Sequence, residues 1–167
     1  AIRSLLKDAG RRLPPRAGDK SMRASTVSVT PETYFGLARR DGIVNSQSKA
    51  GATNYKLEHN LNVNEFSLGG VWRSDPQKII AGAKAKLNGS VSAANVYIVA
   101  AAPESTDKSG WLEVHLKGAK PGDDVKNGRI AVSGQRLYSV AKRSTAGPIE
   151  LELDVSRGTQ VFTFSFG

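Results

Sequence analysis

Glu113 and His115 are the residues whose types and spacing come nearest to catalytic or metal-binding chemistry. They lie two residues apart in an alternating segment, so in a strand their side chains point the same way. An imidazole beside a carboxylate can move protons or bind a metal ion. A zinc site needs at least one more ligand, and no third residue has a recognisable spacing. A solvated strand face is the simpler interpretation, so we expect neither a catalytic residue nor a metal site here.

The other signatures of catalysis are absent from the sequence. It has no Gly-x-Ser-x-Gly elbow, no Walker loop and no Gly-x-Gly-x-x-Gly following a strand. Zero cysteines exclude a disulfide scaffold, a thiol nucleophile and a Cys-ligated zinc ion within the chain. Gly69-Gly70 indicates a bulge or close contact in a strand, and Asp123-Asp124 indicates a turn without the oxygen ligands calcium needs. We therefore expect no enzyme activity and no cofactor.

Three residues suit ligand binding better than catalysis. Trp111 alternates with apolar Leu112, so we expect its indole on the solvent side, where it can stack on a sugar ring or a partner surface. Arg136 and Tyr138 share a strand face and can hydrogen-bond a polyhydroxy ligand or a carboxylate. The alternative for Trp111 is cover under its own loop, and for Arg136 and Tyr138 a structural pair at the sandwich edge. Trp72 shares a face with core residues and is predicted to be buried.

These residues require a scaffold of strands. Period-two alternation dominates after about Ser25, as in Ile149 to Ser156, where apolar and acidic residues alternate. Phe162, Phe164 and Phe166 are predicted to share one face of the last strand. Further strands are predicted at 81–93, at 96–102 as a central strand covered on both faces, and at 111–117.

Turn signals separate these strands at short intervals. Asn88-Gly89, Asn127-Gly128 and Gly147-Pro148 are examples, and the chain holds 17 glycines. We count eight or nine strands between about residues 52 and 167. This pattern predicts an all-β fold, a β-sandwich of jelly-roll type. No 18-residue apolar run is present, which excludes a membrane-spanning helix of that length.

The positive charge is concentrated at the beginning of the chain. The formal net charge is +9, of which residues 1–23 carry +5 with seven basic and two acidic side chains. A basic arm can bind nucleic acid, but no aromatic residue interleaves with it, and its Gly and Pro residues are typical of a linker. Ile2, Leu5, Leu6 and Ala9 have helical spacing. We interpret residues 1–29 as a helix end plus a basic linker, residue 1 as a cut, and the chain as the C-terminal piece of a larger protein that is not expected to bind nucleic acid.

Five motifs in the same order resemble the C-terminal region of DipZ-type proteins, a cytochrome c biogenesis and thioredoxin-like family of bacterial envelopes. They extend over about 140 residues and are fairly specific together. They are TPETYFG (Thr30 to Gly36), FSLGGVW (Phe66 to Trp72), AKLNGSVSAANVYIV (Ala85 to Val99), RLYSV (Arg136 to Val140) and FTFSFG (Phe162 to Gly167).

The resemblance implies a β-sandwich domain over residues 30–167 that is similar to a carbohydrate-binding module and follows a thioredoxin-like domain. Residues 1–29 would then be the end of the last thioredoxin helix and a linker. The redox cysteines of that family have no counterpart here. The implied location is extracytoplasmic, with membrane attachment only through the parent protein. The thioredoxin-like domain is the implied partner, fused or neighbouring.

Two functional hypotheses follow from the residues and the resemblance together. In the first, the domain is a non-catalytic glycan or small-ligand module that uses Trp111, Arg136 and Tyr138 and positions a substrate for its neighbour. In the second, it is a protein-interaction module that shapes the thioredoxin cleft without binding sugar. Glu32 and Tyr34 would then lie at the domain interface, together with Arg136.

Overall fold

A computed structural model of the chain describes residues 28–47, 49–104 and 109–167. The helix end and linker predicted before residue 28 lie outside these residues. The described part consists of strands and turns and contains no helix, and so no helix that could cross a membrane. Its ten strands are Thr33–Tyr34 (β1), Gly51–Tyr55 (β2), Glu65–Ser74 (β3), Ile79–Ala81 (β4), Lys86–Ala101 (β5), Gly110–Lys117 (β6), Lys120–Pro121 (β7), Arg129–Val132 (β8), Arg136–Val155 (β9) and Gln160–Phe166 (β10).

The long strands β5 and β9 organise the fold because each takes part in two sets of pairings. The first half of β5 pairs with β3 and with the second half of β9, which continues to β6 and β8. The second half of β5 pairs with β10 and with the first half of β9. The β5–β9 register shifts between these halves, and β4 joins β3 to β10. All neighbouring strands are antiparallel. The predicted all-β class is confirmed, and the pairing is consistent with a β-sandwich.

The core joins the two halves through a group of aromatic rings. The rings of Phe66 and Phe164 stack with centroids 5.4 Å apart, and Phe35 contacts both edge-on at 5.7 and 5.6 Å. Trp72 is completely buried as predicted, and its indole N–H donates to the carbonyl oxygens of Gly69 and Lys86 at 3.0 and 3.2 Å. Burial of such rings is the largest apolar contribution to a small core.

Two predicted strands have different boundaries or faces because of local irregularities. The alternation at 81–93 belongs to two strands, since β4 ends at Ala81 and the chain turns through Lys84, which has a φ of 53°, before β5. In β10 a register shift between Val161 and Thr163 places Val161 in the core and leaves Phe162 partly exposed. The prediction that Phe162 shares a face with Phe164 is therefore wrong. A bulge inserts one residue and reverses the alternation on its far side.

Gly69-Gly70 is a site of close contact within β3, which is one of the two possibilities that the sequence indicated. Gly70 has a φ of 70°, and a side chain there would collide with the backbone carbonyl of Lys84. Up to Gly69 β3 pairs with β5, whereas Gly70 to Ser74 pair with β2 and, at the end of the strand, with β4. The backbone of Lys84 approaches Gly70 closely at the point where β3 changes partners.

Candidate functional site

One surface of the sheet formed by β5, β9 and β6 carries most of the chemistry-bearing side chains of the described residues. We call it the polar face. The register places Asn88 beside Glu152 and Glu152 beside His115, because these residues oppose one another across the three strands. The polar face comprises Lys86, Asn88 and Ser90 of β5, Glu150, Glu152 and Asp154 of β9, and Trp111, Glu113, His115 and Lys117 of β6.

Ionic contacts connect the strands across the middle of the polar face. Lys86 Nζ lies 3.1 Å from Asp154 Oδ1 and 3.3 Å from Glu152 Oε1. The hydrogen bond to Asp154, followed by the smaller contribution of the hydrogen bond to Glu152, raises the pKa of Lys86 above its ordinary value. His115 Nε2 lies 3.2 Å from Asp154 Oδ2 and 3.6 Å from Glu113 Oε1. The structure therefore supplies the third group near Glu113 and His115 that the sequence spacing did not identify.

A groove of about 280 Å³ runs beside this ionic cluster. Its floor includes Asn88, His115 and Glu152, and its wall is formed by the segment that contains His59 and Leu61. Both histidines of the chain thus lie on one groove although they are 56 positions apart in sequence. The groove is open and combines charged side chains such as Lys117 and Glu152 with apolar Leu61, a form that suits a ligand with both polar and apolar surfaces.

Asn88 carries an unsatisfied acceptor at this groove. Asn88 is 7% exposed, and its amide nitrogen donates to the carbonyl oxygen of Glu58 at 2.6 Å. Its Oδ1 is buried and has no hydrogen-bond donor among the described residues. A buried acceptor without a donor costs about 1–3 kcal/mol, and Asn88 imposes this cost on the folded state.

Trp111 lies at one end of the polar face and is partly exposed. It borders a second depression of about 450 Å³ together with Lys86, Glu113 and Asp154. The guanidinium of Arg129 lies 4.2 Å from the centre of the indole ring and also pairs with Glu113 at 3.2 Å. The ionic cluster therefore separates the Trp111 depression from the histidine-lined groove.

Arg136 and Tyr138 lie side by side, as predicted, but the Tyr138 ring is buried. The Arg136 guanidinium lies 3.9 Å from the centre of the Tyr138 ring and bonds Asp124 Oδ1 at 2.9 Å. Tyr138 is completely buried, and its hydroxyl donates to the Gly134 carbonyl at 2.7 Å and accepts from the backbone N–H of Ser133 and Gly134. The phenol hydroxyl is thus occupied by hydrogen bonds to the turn before β9, and the guanidinium is the exposed member of the pair.

Asp124 fixes this corner of the molecule. Its carboxylate accepts from Arg136 at 2.9 Å and from the backbone N–H of Ser139 at 2.6 Å. The Arg136 hydrogen bond, followed by that of Ser139, holds the pKa of Asp124 below its usual value. Neighbouring Asp123 pairs with Lys142 at 2.7 Å. Both carboxylates of the Asp-Asp turn therefore have cationic partners from the protein.

Glu32 and Tyr34 lie together at β1, the strand at one edge of the sheet. The Tyr34 hydroxyl donates to Glu32 Oε2 at 2.8 Å, and the Arg39 guanidinium lies 3.7 Å from the ring centre. Tyr34 opposes Thr163, which opposes Val99, which opposes Leu137. This row, which we call the outer row, faces away from the core and includes Leu137 at 46% exposure. Trp111 lies on β6, which pairs with the other half of β9.

The chain belongs to the family described as the thioredoxin-like C-terminal domain, whose pattern matches residues 30–167. It is similar to Protein DipZ of Mycobacterium bovis, with 30% identity over 99% of this chain. Protein DipZ of Mycobacterium tuberculosis is similar to the same extent. The chain spans 23% of the length of either relative. The predicted resemblance to DipZ-type proteins is confirmed.

The groove residues were individually visible in the sequence but not as a group. Lys86 and Asn88, like Glu152 and Asp154, stand at polar positions of alternating segments. Alternation predicts that each pair shares a face but not which residue lies opposite on the next strand. His59 lies outside any strand, and no signal in its own segment predicts that it borders the groove.

Proposed function

We propose that this domain is a non-catalytic binding module of an extracytoplasmic DipZ-type redox protein and that its polar face holds a glycan or similar polyhydroxy ligand. In this proposal residues 30–167 form the module, and residues 1–29 connect it to a preceding thioredoxin-like domain. Any redox chemistry belongs to that neighbour, since this chain has no cysteine. The module is attached to the membrane only through the parent protein.

The groove on the polar face, with the partly exposed Trp111 indole bordering the adjoining depression, is the observation that carries the ligand proposal. A sugar hydroxyl can donate to the carboxylate of Glu152 and accept from Lys117, both of which line the groove. The partly exposed Trp111 indole borders the adjoining depression and offers a flat apolar surface to a sugar ring. Arg136 and Tyr138 lie elsewhere, where Arg136 is available for contacts at the surface and Tyr138 supports it from below.

This function is tested by titrating the 167-residue chain with envelope sugars. Calorimetry and NMR chemical-shift changes monitor the binding. We expect saturable binding that weakens at least tenfold in Trp111→Ala and Lys117→Ala, which corresponds to about 1.4 kcal/mol. Leu137→Ser is the control because Leu137 belongs to the outer row, and it should bind normally. The absence of binding to every sugar by the unmodified chain would refute the proposal.

A second candidate function, docking onto the thioredoxin-like domain, is favoured by the outer row. The outer row crosses four strands, and Tyr34, Val99 and Leu137 make three of its four members aromatic or aliphatic, as is typical of protein contact surfaces. Glu32 and Arg39 flank Tyr34 and supply polar contacts at the rim. In this candidate the module shapes the cleft of its neighbour.

The full-length protein is the material for testing the docking function. Leu137→Ser and Tyr34→Ala should change the range of partners that the thioredoxin-like domain reduces, whereas Trp111→Ala should not. Unchanged reduction of all partners in the Leu137 and Tyr34 variants would count against docking. The two functions therefore have reciprocal controls on different strands of the same domain.

A further inference from the structure

Glu113, His115 and Asp154 bring three metal-ligand atoms together at the centre of the polar face. His115 Nε2 lies 3.2 Å from Asp154 Oδ2 and 3.6 Å from Glu113 Oε1, and all three ligand atoms lie within 4.8 Å of one another. In a tetrahedral zinc centre with bonds of about 2.0–2.1 Å, neighbouring ligand atoms are roughly 3.3 Å apart. We propose that these residues form a binding site for a divalent transition-metal ion, for which Zn²⁺ is the reference.

The remaining carboxylate oxygens are held by cations, which orients the ligand oxygens. Asp154 Oδ1 lies 3.1 Å from Lys86 Nζ, so its Oδ2 faces the imidazole. Glu113 Oε2 lies 3.2 Å from Arg129 Nη2, so its Oε1 faces the same nitrogen. Outer partners of this kind fix the rotamers of metal-binding carboxylates in known sites. The site is thus partly preorganised by residues that do not themselves ligate.

The imidazole nitrogen cannot satisfy both carboxylates by hydrogen bonding. A single N–H on Nε2 can bond Asp154 at 3.2 Å, whereas Glu113 at 3.6 Å is beyond hydrogen-bond distance. A metal ion accepts the lone pair of a neutral imidazole and contacts both carboxylates at once. One metal ion can therefore contact the imidazole and both carboxylates, whereas the proton on Nε2 bonds only Asp154.

The donor set and the charge select the class of ion. Calcium and magnesium prefer six or more oxygen ligands, whereas an imidazole with two carboxylates suits zinc, nickel or copper. With Glu152 included, three carboxylates face the two cations Lys86 and Arg129, which leaves one local negative charge when His115 is neutral. Three protein ligands leave a fourth position for water, and the His115 side chain is 54% exposed, so the ion can enter from solvent.

Zinc titration of the tag-free chain by calorimetry tests the site. The chain is well suited because it has no cysteine and only two histidines. We expect one zinc ion per chain, with affinity at least tenfold lower in His115→Ala and in Asp154→Asn. His59→Ala is the matched control because His59 borders the same groove but lies outside the ligand set.

A folding check and a spectroscopic readout make the result decisive. Near-ultraviolet circular dichroism should show that each variant retains the native fold, and zinc should shift the His115 Nε2 resonance in nitrogen NMR spectra. Unsaturable binding, or equal losses in His59→Ala and His115→Ala, would show an adventitious ion only and overturn the proposal. The test uses no sugar, so its outcome is independent of the glycan function.

Discussion

The Tyr138 hydroxyl is expected to stabilise the fold and not to serve a ligand, and Tyr138→Phe separates these roles. The change removes one oxygen and keeps the ring, together with the stacked Arg136 guanidinium 3.9 Å from its centre. The lost hydroxyl donates to Gly134 at 2.7 Å and accepts from Ser133 and Gly134 N–H groups at 3.2 and 3.3 Å. One short and two long hydrogen bonds together contribute about 2 kcal/mol.

That loss predicts a clear shift in thermal unfolding. A domain of this size changes its melting temperature by about 2–4 °C per kcal/mol, so Tyr138→Phe should lower it by about 4–8 °C. Urea denaturation measures the loss in the free energy of unfolding, and differential scanning calorimetry measures the shift in melting temperature. Sugar affinity measured on the folded variant should stay within twofold of the unmodified chain.

Tyr55→Phe is the matched control because it makes the same chemical change at an unsatisfied hydroxyl. Tyr55 is 6% exposed, and its hydroxyl is buried without a hydrogen-bond partner among the described residues. Removing it should be neutral or stabilising by up to about 1 kcal/mol. If Tyr138→Phe were as harmless as Tyr55→Phe, or if it abolished sugar binding without loss of stability, the reasoning would fail.

Further predictions concern the tightly packed Gly70 and the Asp-Asp turn. Gly70→Ala should destabilise by more than about 2 kcal/mol, since it combines a positive φ with a backbone collision, whereas Gly128→Ala has open space and should cost about 1 kcal/mol in urea denaturation. Asp124→Asn should destabilise by about 1–2 kcal/mol at pH 7. Because the folded pKa of Asp124 lies below its unfolded value, this contribution is complete above about pH 5 and disappears as the pH falls through the folded pKa. A stability difference at pH 3 equal to that at pH 7 would contradict the assignment.

Much of the fold was predictable because alternation is a local property. The pattern of Ile149 to Val155 places every second side chain inside, and Ile149, Leu151, Leu153 and Val155 are all buried. The predicted eight or nine strands after residue 52 compare with nine from Gly51 to Phe166. Predictions failed where a bulge or a turn interrupted the alternation, as at Phe162 and in the predicted strand at 81–93.

The candidate site was predictable only in part. Glu113 and His115 were correctly expected to point the same way, but Asp154 reaches them from a strand about 40 positions away. Arg136 and Tyr138 were expected side by side, and they are. The phenol is buried, however, because its hydroxyl forms hydrogen bonds with the backbone of Ser133 and Gly134 in the turn before β9. Neither the turn geometry nor the opposing strand is encoded in the two-residue spacing.

The sequence by itself determined the strand-rich class, the buried Trp72, the close contact at Gly69-Gly70 and the absence of thiol chemistry from this chain. These properties depend on residue type and on neighbours a few positions away. Only the tertiary structure decided that Asn88, His115 and Asp154 share one face, and that Leu137 is exposed while Tyr138 is buried. The reason is physical: strand register and bulges are fixed by packing between distant segments, and a shift of one residue exchanges the two faces of a strand.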